Sequence, residues 1–197
     1  AGVGVTPPPY PRVPHLVPGR GTRDDLVLAA AERDDLLAGP VVVEEKLDGA
    51  NVVLWLDGWR VEVALRAGEG AADRAGQLGP LRGWAAEHGD ALRTLLVDGD
   101  ALYAEWLLLT HTVAYDRLPS YLVALDLWSV ERGFAPVPER DARCTDAAIA
   151  LPPRVWAGTP GAIDTVERLI GTSAYGDEPA EGVAVRADAG QAVRVAK

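Results

Sequence analysis

The 197-residue chain has one cysteine, one phenylalanine and no methionine. The lone Cys144 excludes a disulfide framework and a cysteine-based zinc site, and it suits a reducing compartment such as the cytoplasm. No apolar run is long enough to span a bilayer, so no membrane partner is expected. The opening AGVGVTPPPYPRVP lacks the charged-then-apolar pattern of a signal peptide. Positive charge is also in deficit, with a formal net charge of −10. That balance counts against a broad electrostatic grip on nucleic acid but does not exclude a local basic groove. Any nucleic-acid reading must therefore rest on particular residues. His15, His88 and His111 show no metal-ligand spacing, and nothing in the sequence speaks to oligomeric state.

Apolar residues make up 48 % of the chain, enough for one core and a small appendage. Residues 1–21, rich in proline and glycine, read as an extended arm, with the folded domain at 22–197. Thr22-Arg23-Asp24-Asp25 has the form of a helix start, running to about Leu37 before Gly39-Pro40. Val41–Glu45, Asn51–Leu56 and Trp59–Leu65 are β-branched strands, with Asp57-Gly58 as a hairpin turn. Gly79-Pro80 opens a helix bearing Leu81, Trp84, Leu92, Leu95 and Leu96. Ala101–Leu109 and Tyr121–Trp128 are buried strands, and Pro138 to Ile149 reads as a helix. Thr159-Pro160 caps a helix ending near Gly171, and Gly182–Arg186 and Ala192–Ala196 close the chain as strands. Hairpins outnumber βαβ crossovers, so the expected class is α+β with mainly antiparallel sheets.

One stretch stands out. VVVEEKLDGANVVLWL places Lys46 among apolar residues, where lysine is rarely buried. On the residues alone it has two readings. It is a surface lysine at a strand end beside an Asp48-Gly49 turn, or it is a nucleophile. A neutral amine can attack phosphorus, but desolvation or nearby positive charge must first favour the neutral form.

Lys46-Leu47-Asp48-Gly49 resembles the nucleotide-attachment motif of the covalent nucleotidyltransferases, the superfamily of polynucleotide ligases and capping enzymes. Asn51, and Arg66 at the end of the following hairpin, stand where the RNA ligase branch carries an asparagine and an arginine. YAEWLLLTHTVAYDRLPSYLVALDLW resembles its next two motifs, with Glu105 in the first and Asp126 close to the second. EGVAVRA, from Glu181, matches E-G-V-x-V-R, and RVAK resembles the start of the lysine-bearing last motif. YPRVPHL resembles the approach segment of bacterial members. The ordered set, from about Tyr10 to Lys197, is far more specific than any one motif.

The resemblance implies an ATP-grasp-like nucleotidyltransferase domain, with two antiparallel sheets flanking a nucleotide cleft and peripheral helices. It implies an ATP-dependent RNA ligase that forms a lysyl-AMP adduct at Lys46. AMP then passes to a nucleic-acid 5′-phosphate, and a 3′-hydroxyl seals the strand, the implied partner being RNA. Lys46, Glu181 and Lys197 are the implied catalytic residues, with Mg²⁺ or Mn²⁺ at Glu181. Glu45, Asn51, Arg66, Glu105, Leu125 and Lys197 are implied to line the nucleotide. Asp48, Arg186 and Arg194 are candidate phosphate or nucleic-acid contacts. YLVAL stands where the family commonly has a phenylalanine against adenine, so Leu122 or Leu125 would make aliphatic contact instead. A C-terminal accessory domain is expected to be absent or truncated. A DNA ligase, a capping-type guanylyltransferase and a non-catalytic nucleotide- or RNA-binding module share enough of the pattern to stay open.

Overall fold

A computed structural model describes residues 6–18, 26–65, 71–189 and 192–196, with 71–75, 188–189 and 192–196 described by backbone alone. The fold is mixed α and β, with two antiparallel sheets and few helices. Two compact units share these elements. One comprises Ala1–Tyr10, Gly49–Thr110 and Pro119–Leu151; the other comprises Pro11–Asp48, His111–Leu118 and Pro152–Lys197. Among the described residues, no helix is long and apolar enough to cross a membrane.

The second unit holds a four-stranded sheet. Its strands are β1 (Val41–Lys46), β7 (Arg154–Gly158), β8 (Gly182–Ala189) and β9 (Ala192–Ala196), in the order β7-β1-β8-β9. Period-two alternation sends Val41 and Val43 to one face, opposite Val185 and near Val183 and Ala187. Leu36 and Leu37 of α1 (Ala30–Ala38) and Val166 of α5 (Ile163–Glu167) cover that face. Burying each such side chain contributes roughly 1.5–3 kcal/mol. The opposite face carries Glu44 and Lys46.

The first unit holds a five-stranded sheet. Its strands are β2 (Ala50–Asp57), β3 (Arg60–Leu65), β4 (Asp100–Trp106), β5 (Leu122–Ser129) and β6 (Gly133–Phe134), in the order β3-β2-β4-β5-β6. Val52, Leu54 and Leu56 of β2, with Leu102, Ala104 and Trp106 of β4, form its core. Leu81 and Ala85 of α2 (Ala71–Glu87), Leu92 and Leu95 of α3 (Gly89–Leu95) and Cys144 of α4 (Val137–Asp146) join them. The other face carries Asn51, Tyr103 and Glu105. Residues 8–10 lie there too: Tyr103 Oη donates to Pro8 O at 2.6 Å, and Tyr10 packs on the Tyr103 ring at 4.9 Å.

Several boundaries differ from the sequence expectation. Thr22 to Asp25 lie outside the described residues, and α1 begins only at Ala30. Residues 26–28 bond instead to His15, through His15 N–H to Leu26 O and Leu28 N–H to His15 O. The hairpin loop is Gly58-Trp59, because Asp57 pairs with Arg60; Gly58 takes φ +61° at the first central position, the type II′ arrangement. The helix expected from Gly79-Pro80 starts at Ala71, with Pro80 inside it, and α3 follows separately. Pro80 removes one N–H from the helix, while packing on the sheet retains Leu81 and Ala85. Strand β4 ends at Trp106, where Leu107 N–H turns to Tyr121 O. Helix α4 stops at Asp146, since Ala148 has φ 54°. Thr159 does not cap α5; the cap residue is Ala162, and Gly161 N–H is spent on Leu37 O. The short β6 and β7 carry no alternating pattern that would announce them.

Candidate active site

Lys46 is the last residue of β1 and pairs in register with Gly182. That register brings Glu181, just before β8, beside the lysine, and the Lys46 ammonium forms an ion pair with the Glu181 carboxylate. Both side chains are about one-quarter to one-third exposed, so the pair is partly open to solvent. Residues 46 and 181 are thus joined by a strand ladder and not by chain proximity.

The carboxylates on either side of Lys46 in sequence face loop backbones. Glu45 is buried; Ser173 Oγ donates to its Oε1 at 2.5 Å and Ala174 N–H to its Oε2 at 2.9 Å. Asp48 Oδ2 accepts the N–H groups of Thr112 and Val113 at 2.5 and 3.0 Å. Asp48 N–H donates to Tyr115 Oη at 2.8 Å, and His111 Nδ1 stands 4.0 Å from Asp48 Oδ1. Burial pushes the Tyr115 hydroxyl up to about 12, opposed by the Asp48 N–H and helped by the charges of Glu45, Asp48 and Glu181. Tyr175, edge-on to Tyr115, is also pushed up to about 12, by burial and then by Glu45.

Arg186, expected as a phosphate or nucleic-acid contact, is instead buried against Glu44, with Nε donating to Oε2 at 2.6 Å. Strand alternation puts it on the Glu44 and Lys46 face, but its guanidinium is turned to the neighbouring strand and not to solvent. Arg66 and Lys197 lie outside the described residues, and the side chain of Arg194 is not described.

The five-stranded unit has a polar group of its own. Glu105 Oε1 accepts Gly49 N–H at 3.1 Å, and Asn51 is the register partner of Glu105. Val123 faces Glu105 on the next strand, so Asn51, Glu105 and Val123 form one row across the sheet. One register step away, Tyr103 pairs with Asp126, whose carboxylate accepts the Tyr10 hydroxyl. The ladder moves from Tyr103↔Asp126 to Ala104↔Ala124, which leaves Leu125 as the extra residue of a β-bulge. Leu125 O accepts a bond from buried Arg140 Nη1 at 2.8 Å, and its side chain is partly exposed. Leu122, the other leucine expected against a base, is fully buried in the hydrophobic core.

His88 stacks on Trp84 at 4.0 Å, with Nδ1 2.9 Å from Trp84 O, a local structural role. Sequence reasoning singled out neither Tyr115, Ser173, Tyr175 nor Tyr10. Tyr115 lies within YAEWLLLTHTVAYDRLPSYLVALDLW, but no local pattern says that its hydroxyl meets residue 48.

Residues 39–197 match the family model described as RNA ligase. No curated protein matches the chain. Among solved structures, a variant of Naegleria gruberi RNA ligase with ATP and Mn is 15 % identical, with a TM-score of 0.61 over 81 % of this chain and 50 % of that one. The same organism's RNA ligase with PPi is 15 % identical, with a TM-score of 0.62 over 83 % of this chain and 50 % of that one. A further variant with ATP and Mn, 14 % identical, gives a TM-score of 0.59 over 98 % of this chain and 61 % of that one. At these identities the likeness is one of fold. The chain spans about half the length of the first two ligases.

Proposed function

Because the chain belongs to the RNA ligase family, we propose that it is an ATP-dependent RNA ligase working through a lysyl-AMP adduct at Lys46. The observation that carries this reading is the contact of Lys46 with Glu181, the first residue of the E-G-V-x-V-R stretch. In the first step Lys46 Nζ, once deprotonated, attacks the α-phosphorus of ATP. A P–N bond forms, the bond from the α-phosphorus to the bridging oxygen breaks, and pyrophosphate leaves. AMP then moves to a 5′-phosphate, and a 3′-hydroxyl displaces it to form the phosphodiester. Each step is in-line transfer, in which the protein chiefly positions groups and offsets charge.

Within that reading, residues 22–197 act as the adenylation domain and 1–21 as its arm. Glu105 accepts a ribose hydroxyl, and Asn51 and Arg66 contact phosphate or the nucleic-acid end. Leu125 gives aliphatic contact to the base, and Lys197 offsets charge at the α-phosphate. Glu45 supports the nucleotide site through the loop it holds, and Arg194 is a further phosphate contact. Arg186 supports β1 through Glu44.

Among the described residues, no group of three or more His, Cys, Asp or Glu side chains could enclose a metal ion. Glu181 offers a hard carboxylate oxygen, which would suit a divalent cation such as Mg²⁺ or Mn²⁺ whose remaining positions are filled by substrate phosphates and waters. Such an ion would supply charge neutralisation at the phosphates. The Naegleria structures with ATP and Mn, and with AMP and Mn, are consistent with a nucleotide and a divalent cation here.

The test is incubation with α-labelled ATP, followed by digestion and mapping of the adduct. Only Lys46 and Lys197 carry lysine amines, so the map has two candidate lysines. AMP on Lys46, lost in Lys46→Ala, is the expected result. Label that persists in Lys46→Ala overturns the assignment. GTP labelling in place of ATP gives the capping-type reading, and sealing of nicked DNA alone gives the DNA ligase. Nucleotide binding with no adduct gives the non-catalytic module.

A further inference from the structure

Beyond Lys46 the ladder of β1 stops: Leu47 and Asp48 lie in no strand. Something other than a sheet must therefore hold the backbone that follows the lysine. Leu47 is buried, and Asp48 makes the remaining connections. Its N–H goes to the Tyr115 hydroxyl and its carboxylate takes the N–H groups of Thr112 and Val113. Residues 111–117 are in turn pressed on to residues 173–176. Tyr175 O accepts the N–H groups of Asp116 and Arg117 at 3.0 and 2.9 Å. A Cβ at Gly176 would lie 2.5 Å from Ala114 O, so only glycine permits that approach. The 173–176 turn ends on the Glu45 carboxylate. Residues 45 and 48 are thus tied to one continuous loop assembly, with Lys46 between them.

We propose that Tyr115 is a positioning residue for Lys46, acting through the Asp48 backbone, and that Asp48 serves as a hydrogen-bond bracket and not as a phosphate or metal ligand. This inference rests on the reading of Lys46 as the nucleophile. The lysine stem has four rotatable bonds, so its Nζ reaches an in-line position reproducibly only if the backbone beneath it is fixed. A displacement of about 1 Å at a reacting group can cost roughly a hundredfold in rate. Tyr115 stays a neutral hydroxyl in the working pH range, its ionisation pushed up to about 12. It therefore contributes geometry without titrating.

The experiment compares Tyr115→Phe, Asp48→Ala and Asp48→Asn with the parent protein, measuring ATP affinity and single-turnover lysyl-AMP formation separately. Tyr115→Phe should slow adduct formation by about tenfold while ATP affinity changes by less than about twofold, the mark of a group that acts on geometry. The shape of its pH profile should not change. Asp48→Asn keeps an acceptor oxygen for Thr112 and Val113, so it should recover most of the rate lost in Asp48→Ala. Adduct formation at the parent rate in Tyr115→Phe overturns the inference. So does a loss shared equally by affinity and rate, or an Asp48→Asn protein as slow as Asp48→Ala. If the parent protein forms no adduct, the reading of Lys46 fails on its own. The bracket is then read from hydrogen exchange at the Asp48 amide: faster exchange in Tyr115→Phe supports it, and unchanged protection overturns it.

Discussion

Arg186 Nε lies 2.6 Å from Glu44 Oε2, and both side chains are only 2 % exposed. The pair crosses from β8 to β1 on the face that also carries Lys46, two residues further along. A buried ion pair is weak evidence of net stabilisation, but removing one partner is costly because the other charge stays buried. Glu44→Gln or Arg186→Met should each destabilise the fold by about 3 kcal/mol or more. The double variant Glu44→Leu with Arg186→Met should recover most of that loss. Urea unfolding of the three proteins checks both statements.

Gly49 is the first residue of the Gly49–Thr110 segment of the five-stranded unit. A Cβ there would lie 2.6 Å from Trp106 O and 2.7 Å from Leu107 Cδ2. The backbone has little room to yield, since Gly49 N–H also donates to Glu105. Gly49→Ala should destabilise the protein by about 1–3 kcal/mol, as overpacking does. Urea unfolding reads the loss, and a nucleotide-binding assay reads the expected shift of Glu105.

Stability should fall in alkali. Burial holds the Cys144 thiol up from 9.0 to about 12, and the hydroxyls of Tyr103, Tyr115 and Tyr175 up from 10.0 to about 12. These acids ionise more readily in the unfolded chain than in the folded one. Their contribution is therefore complete below about pH 9 and is lost progressively as pH rises towards about 12. Urea midpoints should decline across that window, first with the thiol and then more steeply with the tyrosines. Ultraviolet difference absorbance should show a tyrosine group that ionises late in the folded protein.

Ala148 has φ 54°, the left-handed region, immediately after the cap residue of α4. Glycine is the usual occupant there, because a Cβ adds strain. The side chain is exposed, so little packing is lost on removing it. Ala148→Gly should raise stability by up to about 1 kcal/mol. An unchanged or lower thermal midpoint would count against the strain argument.

The strands were largely legible before the structure. β1, β2, β3, β5 and β9 fall within a residue or so of their expected bounds, because β-branched runs and alternation report a buried sheet face directly. Helix starts were less legible. The acidic turn at Asp24-Asp25 reads as a beginning, yet Leu26 and Leu28 bond to His15 and α1 opens only at Ala30. Pro80 looked like a first residue and is internal. Both errors arise because tertiary contacts outweigh local start signals.

The candidate site divides along the same line. The sequence by itself determined that Lys46 ends a β-branched strand and is followed at once by Asp48 and Gly49, since those properties depend only on neighbouring residues. It also determined the order of the motifs. Which partners the charged groups take was decided only by tertiary structure. The register of β1 on β8 sets Lys46 against Glu181 and buries Arg186 on Glu44. Loop packing across 67 residues of chain brings the Tyr115 hydroxyl to Asp48. Strand register and loop docking are settled by the whole core at once, so no local stretch of sequence encodes them.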